Sequence, residues 1–192
     1  MKNLILASGS PRRLELLSYF GFDLKVIKPD TDETVDPALT PQEVVISLAL
    51  QKGNAVAHIV GTKTPLLSAD TIVVIDDEII NKPADKDDAI NMISKLSGRT
   101  HSVFTGVAIF FNDTVDTFFV KSDVTFKKLS MKEISDYCDT DEPYDKAGAY
   151  AVQGIGAFMV KSINGSYLNV IGLPVSVVIE HFQNLNIING LK

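Results

Sequence analysis

The sequence predicts an α/β fold on a mixed β-sheet, in one domain over residues 1–192. Apolar runs of strand length alternate along the chain with amphipathic segments of helical period, and the junctions carry capping and turn residues. Two long strand-like runs are separated only by Asn112-Asp113, so a hairpin interrupts the strand–helix alternation and the sheet is mixed. With 192 residues and 45% apolar content, the chain is long enough for a proper core.

Leu4 to Ala7 is too brief for a helix and suits a buried strand. Ser8-Gly9-Ser10-Pro11-Arg12-Arg13 follows. Ser10 reads as an N-cap with proline at the first helical position, Leu14, Leu17 and Phe20 fall at helical spacing, and Gly21 stops the helix. A second strand covers Asp23 to Ile27, and a polar loop from Pro29 to Leu39 carries Asp30, Asp32, Glu33 and Asp36. Thr40-Pro41-Gln42-Glu43 is a capping box, opening a helix to about Ile59. Leu66 to Ile75 is a buried strand interrupted by Asp70, and Lys86 to Leu96 an amphipathic helix stopped by Gly98. Val103 to Phe111 and Val115 to Phe126 are strands. Ser130-Met131-Lys132-Glu133 is a second capping box, for a helix to about Cys138. Ala157 to Ile163 reads as a strand before an Asn164-Gly165 turn, and Pro174 to Leu185 as the last helix.

With 24 acidic against 18 basic residues, the net charge of −6 argues against a surface for a nucleic acid polymer, which needs clustered excess base. A local basic pocket for a small anion remains compatible with it. Cys138 stands alone, so no internal disulfide and no Cys/His zinc cluster is expected. The apolar run at the start is too short for a signal peptide, and no stretch approaches the roughly 20 apolar residues of a membrane span. A cytoplasmic protein without membrane attachment is the expectation.

Several residues are candidates for chemistry. Strand, tight polar turn and helix aim free backbone N–H groups at an anion, and Ser8, Ser10, Arg12 and Arg13 add hydroxyls and guanidiniums that suit phosphate. Adjacent arginines in a first turn oppose the helix dipole, which a bound anion would offset. Asp70 is a carboxylate within an apolar strand, costly to bury unless paired or metal-bound. It shares a strand face with Ser68 and Ile72, and it is either a strand-edge aspartate bonded to backbone or a group facing a cleft. The acidic loop with Glu33 reads as solvated surface or as a source of oxygen ligands for Mg²⁺. Lys52 lies in line with an apolar helix stripe, either snorkelling or facing a buried anion. Lys82, held extended by Pro83, reads alone as a loop lysine. Gln153, in a glycine-hinged loop, offers the donor and acceptor that a base edge requires. His58, His101 and His181 are scattered and read as structural or surface residues.

Together these segments resemble the Maf family of septum-formation-inhibitor-like nucleotide pyrophosphatases. The resemblance runs through Ser8-Gly9-Ser10-Pro11-Arg12-Arg13, Ser68-Ala69-Asp70-Thr71, Lys82-Pro83, Leu96-Ser97-Gly98-Arg99-Thr100-His101-Ser102-Val103 with Thr105-Gly106-Val107, Asp145-Lys146-Ala147-Gly148-Ala149-Tyr150 with Gln153-Gly154, and Gly172-Leu173-Pro174. It implies a twisted mixed sheet flanked by helices with a deep cleft, related to the inosine triphosphate pyrophosphatases, in a homodimer. It also implies hydrolysis of nucleoside triphosphates to monophosphate and pyrophosphate with a divalent cation, Mg²⁺ or Mn²⁺.

The family's catalytic carboxylate falls on Asp70 as general base, its second essential acid on Glu33, and its cleft lysines on Lys52 and Lys82. Glu33 and Asp70 would hold the metal. The serine-rich turn and Arg13 fall on the phosphate site. Arg12, Thr71 and Gln153 match the members selective for dTTP and UTP, whereas members acting on 7-methyl-GTP carry tryptophan, glutamine and glutamate there. Asn81, where glycine often precedes Lys-Pro, and Ala151, where glycine is common before Gln-Gly, are departures. The alternative function is a nucleotide-binding regulator of septum formation with incidental catalysis.

Overall fold

A computed structural model describes residues 2–190. In chain order the regular elements are β1 (Asn3–Ala7), α1 (Pro11–Ser18), β2 (Asp23–Ile27), α2 (Pro41–Val60), β3 (Leu66–Ile75), β4 (Glu78–Ile80), α3 (Lys86–Leu96), β5 (Thr100–Phe111), β6 (Thr114–Phe126), α4 (Met131–Cys138), 3-10 turns at Ala147–Ala149 and Ile155–Met159, β7 (Val160–Asn164), α5 (Tyr167–Ile171) and α6 (Val175–Asn184). The fold is α/β. Its mixed sheet has seven strands in the order β2-β1-β3-β5-β6-β7, with β4 paired to β3. Among the described residues no helix is long and apolar enough to cross a membrane.

The chain divides into two compact units. The first comprises Met1–Asp70, Thr105–Val120 and Gly172–Lys192. In it β1 pairs in parallel with β2, Asn3 opposite Asp23 through Ala7 opposite Ile27, and in parallel with β3, Ile5 opposite Leu66 through Ala7 opposite Ser68. Parallel neighbours need crossovers, and α1 and α2 are long enough to provide them. Thr40 and Glu43 form the expected capping box at the start of α2. Buried Ile5, Ala7, Ala49, Val56, Leu66, Ala108 and Phe110 form one core cluster between α2 and the sheet.

The second unit comprises Thr71–Phe104 and Lys121–Ile171. Here β3 folds back on β4, Val73 opposite Ile80 and Ile75 opposite Glu78, and β6 pairs antiparallel with β7. The Ser130–Glu133 capping box opens α4. His101, Phe126 and Tyr150 meet edge to face, with ring centroids 4.7–5.3 Å apart.

The local structure refines one expectation, overturns another and adds two elements. Ser10 stands at the N-cap of α1, but its side chain makes no capping bond. Its N–H instead donates to Ser8 Oγ (3.1 Å), so Ser8 sets the turn. Residues 157–159 are not strand; they belong to a 3-10 turn, and β7 begins at Val160. The short strand β4 escaped the sequence reading, although its Asp76-Asp77 turn has positive φ at both residues (53° and 61°), the signature of a two-residue hairpin turn. The short helix α5 was likewise unforeseen.

Candidate active site

In the first unit, Ser8 follows directly on β1 and is buried. Its Oγ accepts hydrogen bonds from the Ser10 N–H and from Arg13 Nη1 (3.2 Å), while Arg13 Nε donates to the Gly172 carbonyl (2.8 Å). A buried guanidinium held by two fixed acceptors has little freedom left. Desolvation lowers the Arg13 pKa, the charge of Asp70 opposes that, Arg12 adds to the lowering and Glu33 opposes it. Arginine remains a cation throughout. Arg12, half-buried beside it on α1, supplies a second positive charge.

Asp70 closes the part of β3 that belongs to this unit. Two residues earlier, on the same strand face, Ser68 Oγ donates to the Ala49 carbonyl of α2 (2.7 Å). The helix can come this close because residue 53 is glycine. A Cβ there would lie 2.6 Å from Phe110 Cζ and 2.7 Å from Ser68 Oγ. Gly106 performs the same service on β5, where a Cβ would overlap the Val45 backbone. Helix and sheet are thus locked with Lys52 facing the strand, and its Nζ bonds Asp70 Oδ1 and, at 3.1 Å, Glu33 Oε1. The side chains of Lys52 and Asp70 are 13% and 12% exposed, whereas that of Glu33 is 50% exposed. Lys52 therefore faces an anion rather than snorkelling, and Asp70 is paired rather than capping the strand edge.

Glu33 reaches this pair from a backbone with φ of +48°. That left-handed conformation costs an L-residue roughly 1–2 kcal/mol. Gln51, next to Lys52, donates to the Thr34 carbonyl (2.8 Å), holding the acidic loop against α2. Strain maintained at a charged side chain that meets two other functional groups is a mark of a working site.

The second unit carries the remaining candidates on three separate segments. Thr71 follows Asp70 on β3 and is half-buried. Lys82 is exposed, and the preceding Asn81 carbonyl accepts from the Gly148 N–H (3.0 Å). Gly148 has φ of +72° and lies flat against Val73, where a Cβ would come within 3.0 Å of the valine Cγ2. Tyr150 is anchored on His101, Oη to Nε2 at 2.6 Å. Burial pushes the His101 imidazole down to about 4, against the raising effect of Asp123. Gln153, half-buried, stands between buried Val152 and Gly154 at φ of +78°.

Among the described residues no three His, Cys, Asp or Glu side chains converge as a metal cage. Glu33 and Asp70 do converge, on one lysine. Mg²⁺ commonly takes one or two carboxylates and completes its shell with water and phosphate oxygens, so these two carboxylates fit a cation that arrives with a triphosphate.

The sequence model described as "Maf-like protein" matches residues 3–185. The chain belongs to the Maf family. Two Maf relatives are named "dTTP/UTP pyrophosphatase", one from Bacillus anthracis and one from Bacillus cereus (strain ATCC 10987 / NRS 248). Each is 44% identical over 192 residues and covers 97% of this chain, with 97% and 92% of its own length matched. Among solved structures the chain is similar to the Staphylococcus aureus Ham1 protein, at 16% identity and a TM-score of 0.46 over 65% of this chain and 72% of that one. It is also similar to a nucleoside-triphosphatase / dITP/XTP pyrophosphatase from Mycobacterium abscessus, at 11% identity and a TM-score of 0.46 over 98% and 100%.

The gathered residues of the first unit are those on which the Maf resemblance bears: Ser8, Arg13, Glu33, Lys52 and Asp70. Sequence reasoning placed Ser68 on the strand face of Asp70 but missed its bond to α2, and it missed Gly53, which lets that helix approach β3 closely. It also missed Glu142 in the second unit, whose carboxylate accepts from the Ile155 and Gly156 N–H groups, thirteen and fourteen residues along the chain.

Proposed function

We propose that this Maf protein hydrolyses dTTP and UTP to the monophosphate and pyrophosphate, acting as one domain over residues 1–192. The observation that carries the reading is the Lys52 ion pair with Asp70 and Glu33, adjoining in the same unit a buried, anchored arginine. The names of the relatives support the substrate class.

In this reading the triphosphate is bound by Arg13, Arg12, the hydroxyls of Ser8 and Ser10, and the N–H groups of the turn at the start of α1. Asp70 accepts a proton from a water as that oxygen bonds to the α-phosphorus. The bond from the α-phosphorus to its bridging oxygen breaks, and the electron pair leaves with pyrophosphate. Lys52 orients the Asp70 carboxylate and keeps Glu33 beside it. Lys82 offsets charge on the departing pyrophosphate. Thr71 and Gln153 contact the base. Glu33 and Asp70 would hold Mg²⁺ or Mn²⁺, and the chemistry supplied by such an ion is neutralisation of phosphate charge and polarisation of water. Divalent-metal dependence is general among nucleoside triphosphate pyrophosphatases, which supports this assignment. The family resemblance further supports a cytoplasmic homodimer, for which sedimentation equilibrium and cell fractionation are the tests.

The test is turnover of dTTP, UTP, CTP, ATP, GTP and 7-methyl-GTP with Mg²⁺ or Mn²⁺, identifying both products. Monophosphate and pyrophosphate from dTTP and UTP are expected. Retention of nucleotide without turnover would favour a regulator of septum formation, and preference for 7-methyl-GTP would overturn the roles of Arg12, Thr71 and Gln153.

A further inference from the structure

In the first unit the parallel strands β2, β1 and β3 lie side by side, with Ala7 opposite Ile27 on one flank and opposite Ser68 on the other. Ligands of open α/β sheets bind beyond such carboxyl ends. The residue that leaves β1 there is Ser8, whose turn carries Arg12 and Arg13. The residue that leaves β2 at the same level is Lys28. Asp70 stands farther along β3, two residues past Ser68.

Lys28 is exposed, yet its stem lies across Gly9. A Cβ on that glycine would be 3.5, 3.6 and 3.7 Å from Lys28 Cγ, Cδ and Cε. The ammonium, one bond beyond Cε, thus stays beside the Ser8-Gly9-Ser10 turn. Gly9 offers the stem no side chain to cover, so burial of apolar surface accounts for little of this arrangement. Among the described residues the Lys28 side chain makes no ion pair and no hydrogen bond, although Asp30 and Asp32 follow in the same loop. Arg12, Arg13 and Lys28 therefore border one turn, and the lysine brings a charge that no carboxylate neutralises.

The strand order says which part of a triphosphate this charge would meet. Neighbouring strands stand about 4.8 Å apart. In the proposed reaction Asp70, on β3, serves the α-phosphorus. The turn after β1 comes next, and Lys28, after β2, is farthest from the scissile bond. The α-phosphate is the end tied to the nucleoside, so the far end is the γ-phosphate. We propose that Lys28 is a further substrate-binding residue, its ammonium taking the terminal phosphate of the nucleoside triphosphate, which departs within pyrophosphate. This role rests on the reading of the Ser8–Arg13 turn as the phosphate site.

The experiment measures kcat and KM for UTP and dTTP, and the inhibition constants of pyrophosphate and UMP, at fixed Mg²⁺. The proteins are the wild type, Lys28→Met and Lys28→Arg, with the Tm of each. Methionine keeps an unbranched stem and removes the charge. In Lys28→Met the KM of both triphosphates and the inhibition constant of pyrophosphate should rise on the order of fivefold. The constant for UMP, which lacks the terminal phosphate, should stay within about twofold of the wild type. Lys28→Arg should restore most of the loss. An unchanged pyrophosphate constant in Lys28→Met overturns the proposal, and so does an equal rise for UMP and pyrophosphate, which would mark a merely structural role. If Lys28→Met does not fold, Lys28→Gln, read by the same two constants, decides. Wild-type turnover with unaltered constants in the variant overturns the Lys28 role alone. If instead the wild type hydrolyses neither UTP nor dTTP, the phosphate-site reading itself fails and the Lys28 role falls with it.

Discussion

In the first unit, Lys52 and Asp70 are side chains on a long helix and a central strand, about seven-eighths buried and held by opposite charge. In the second, Gln153 stands on a loop whose backbone donates two hydrogen bonds to the Glu142 carboxylate, which accepts a third from the Tyr137 hydroxyl. The first arrangement fixes charges where bonds would be made and broken, and it needs regular elements packed at glycine distance. The second fixes the course of a loop, and it needs a chain free to adopt positive φ at Gly148 and Gly154. Rate and base preference should therefore respond to different substitutions.

The largest expected effect is on rate. Asp70→Asn should lower kcat by about 10²- to 10⁴-fold, the range for a general base, with the UTP-over-CTP ratio of kcat/KM nearly unchanged. Full turnover in this variant would remove the chemical role from the first unit. Lys52→Ala strands the Asp70 carboxylate without its partner. It should cost about 3 kcal/mol of stability in urea unfolding, as for a broken buried pair, together with most of the activity. A loss below about 1 kcal/mol would place the pair in the class of surface ion pairs.

The second unit should show its own pH response. His101 is buried and neutral, with its pKa lowered to about 4 from 6.5. As pH falls below 6.5 the unfolded chain takes up a proton that the folded one refuses, so stability is full above that value and is lost toward pH 4. Between pH 7.5 and 4.5 this amounts to roughly 2–3 kcal/mol. Urea unfolding of the wild type and His101→Gln at both pH values checks it, and equal losses in the two proteins would exclude the histidine as the cause. A smaller effect returns to the first unit. Gly53→Ala should overpack the contact with Phe110 and Ser68, costing roughly 1–3 kcal/mol, and should lower kcat because Lys52 rides on the same turn. An unchanged Tm would mean that α2 has room to move.

Much of the frame was legible in advance because its causes are local. Thr40-Pro41-Gln42-Glu43 announces its helix through bonds spanning three residues, and Leu66 to Ile75 announces its strand by length and branching. Asp70 stood out because a carboxylate in an apolar strand needs a partner. The partner was not legible, since the helix phase of Lys52 fits both a snorkelling lysine and an ion-paired one. Residues 157–159 were misread for a related reason. A short apolar run is ambiguous between strand and turn, and here the Glu142 carboxylate decides.

By itself the sequence determined the alternation of strands and helices, both capping boxes and the residue types available for phosphate chemistry, because capping, periodicity and charge act over a few residues. Tertiary structure alone decided that Lys52 meets Asp70 and Glu33, that Arg13 is anchored on Gly172, and that Glu142 closes the turn after Gln153. Each of these contacts joins segments that only the packing of helix on strand or loop on loop brings within bonding distance, and no local pattern encodes a distance through space.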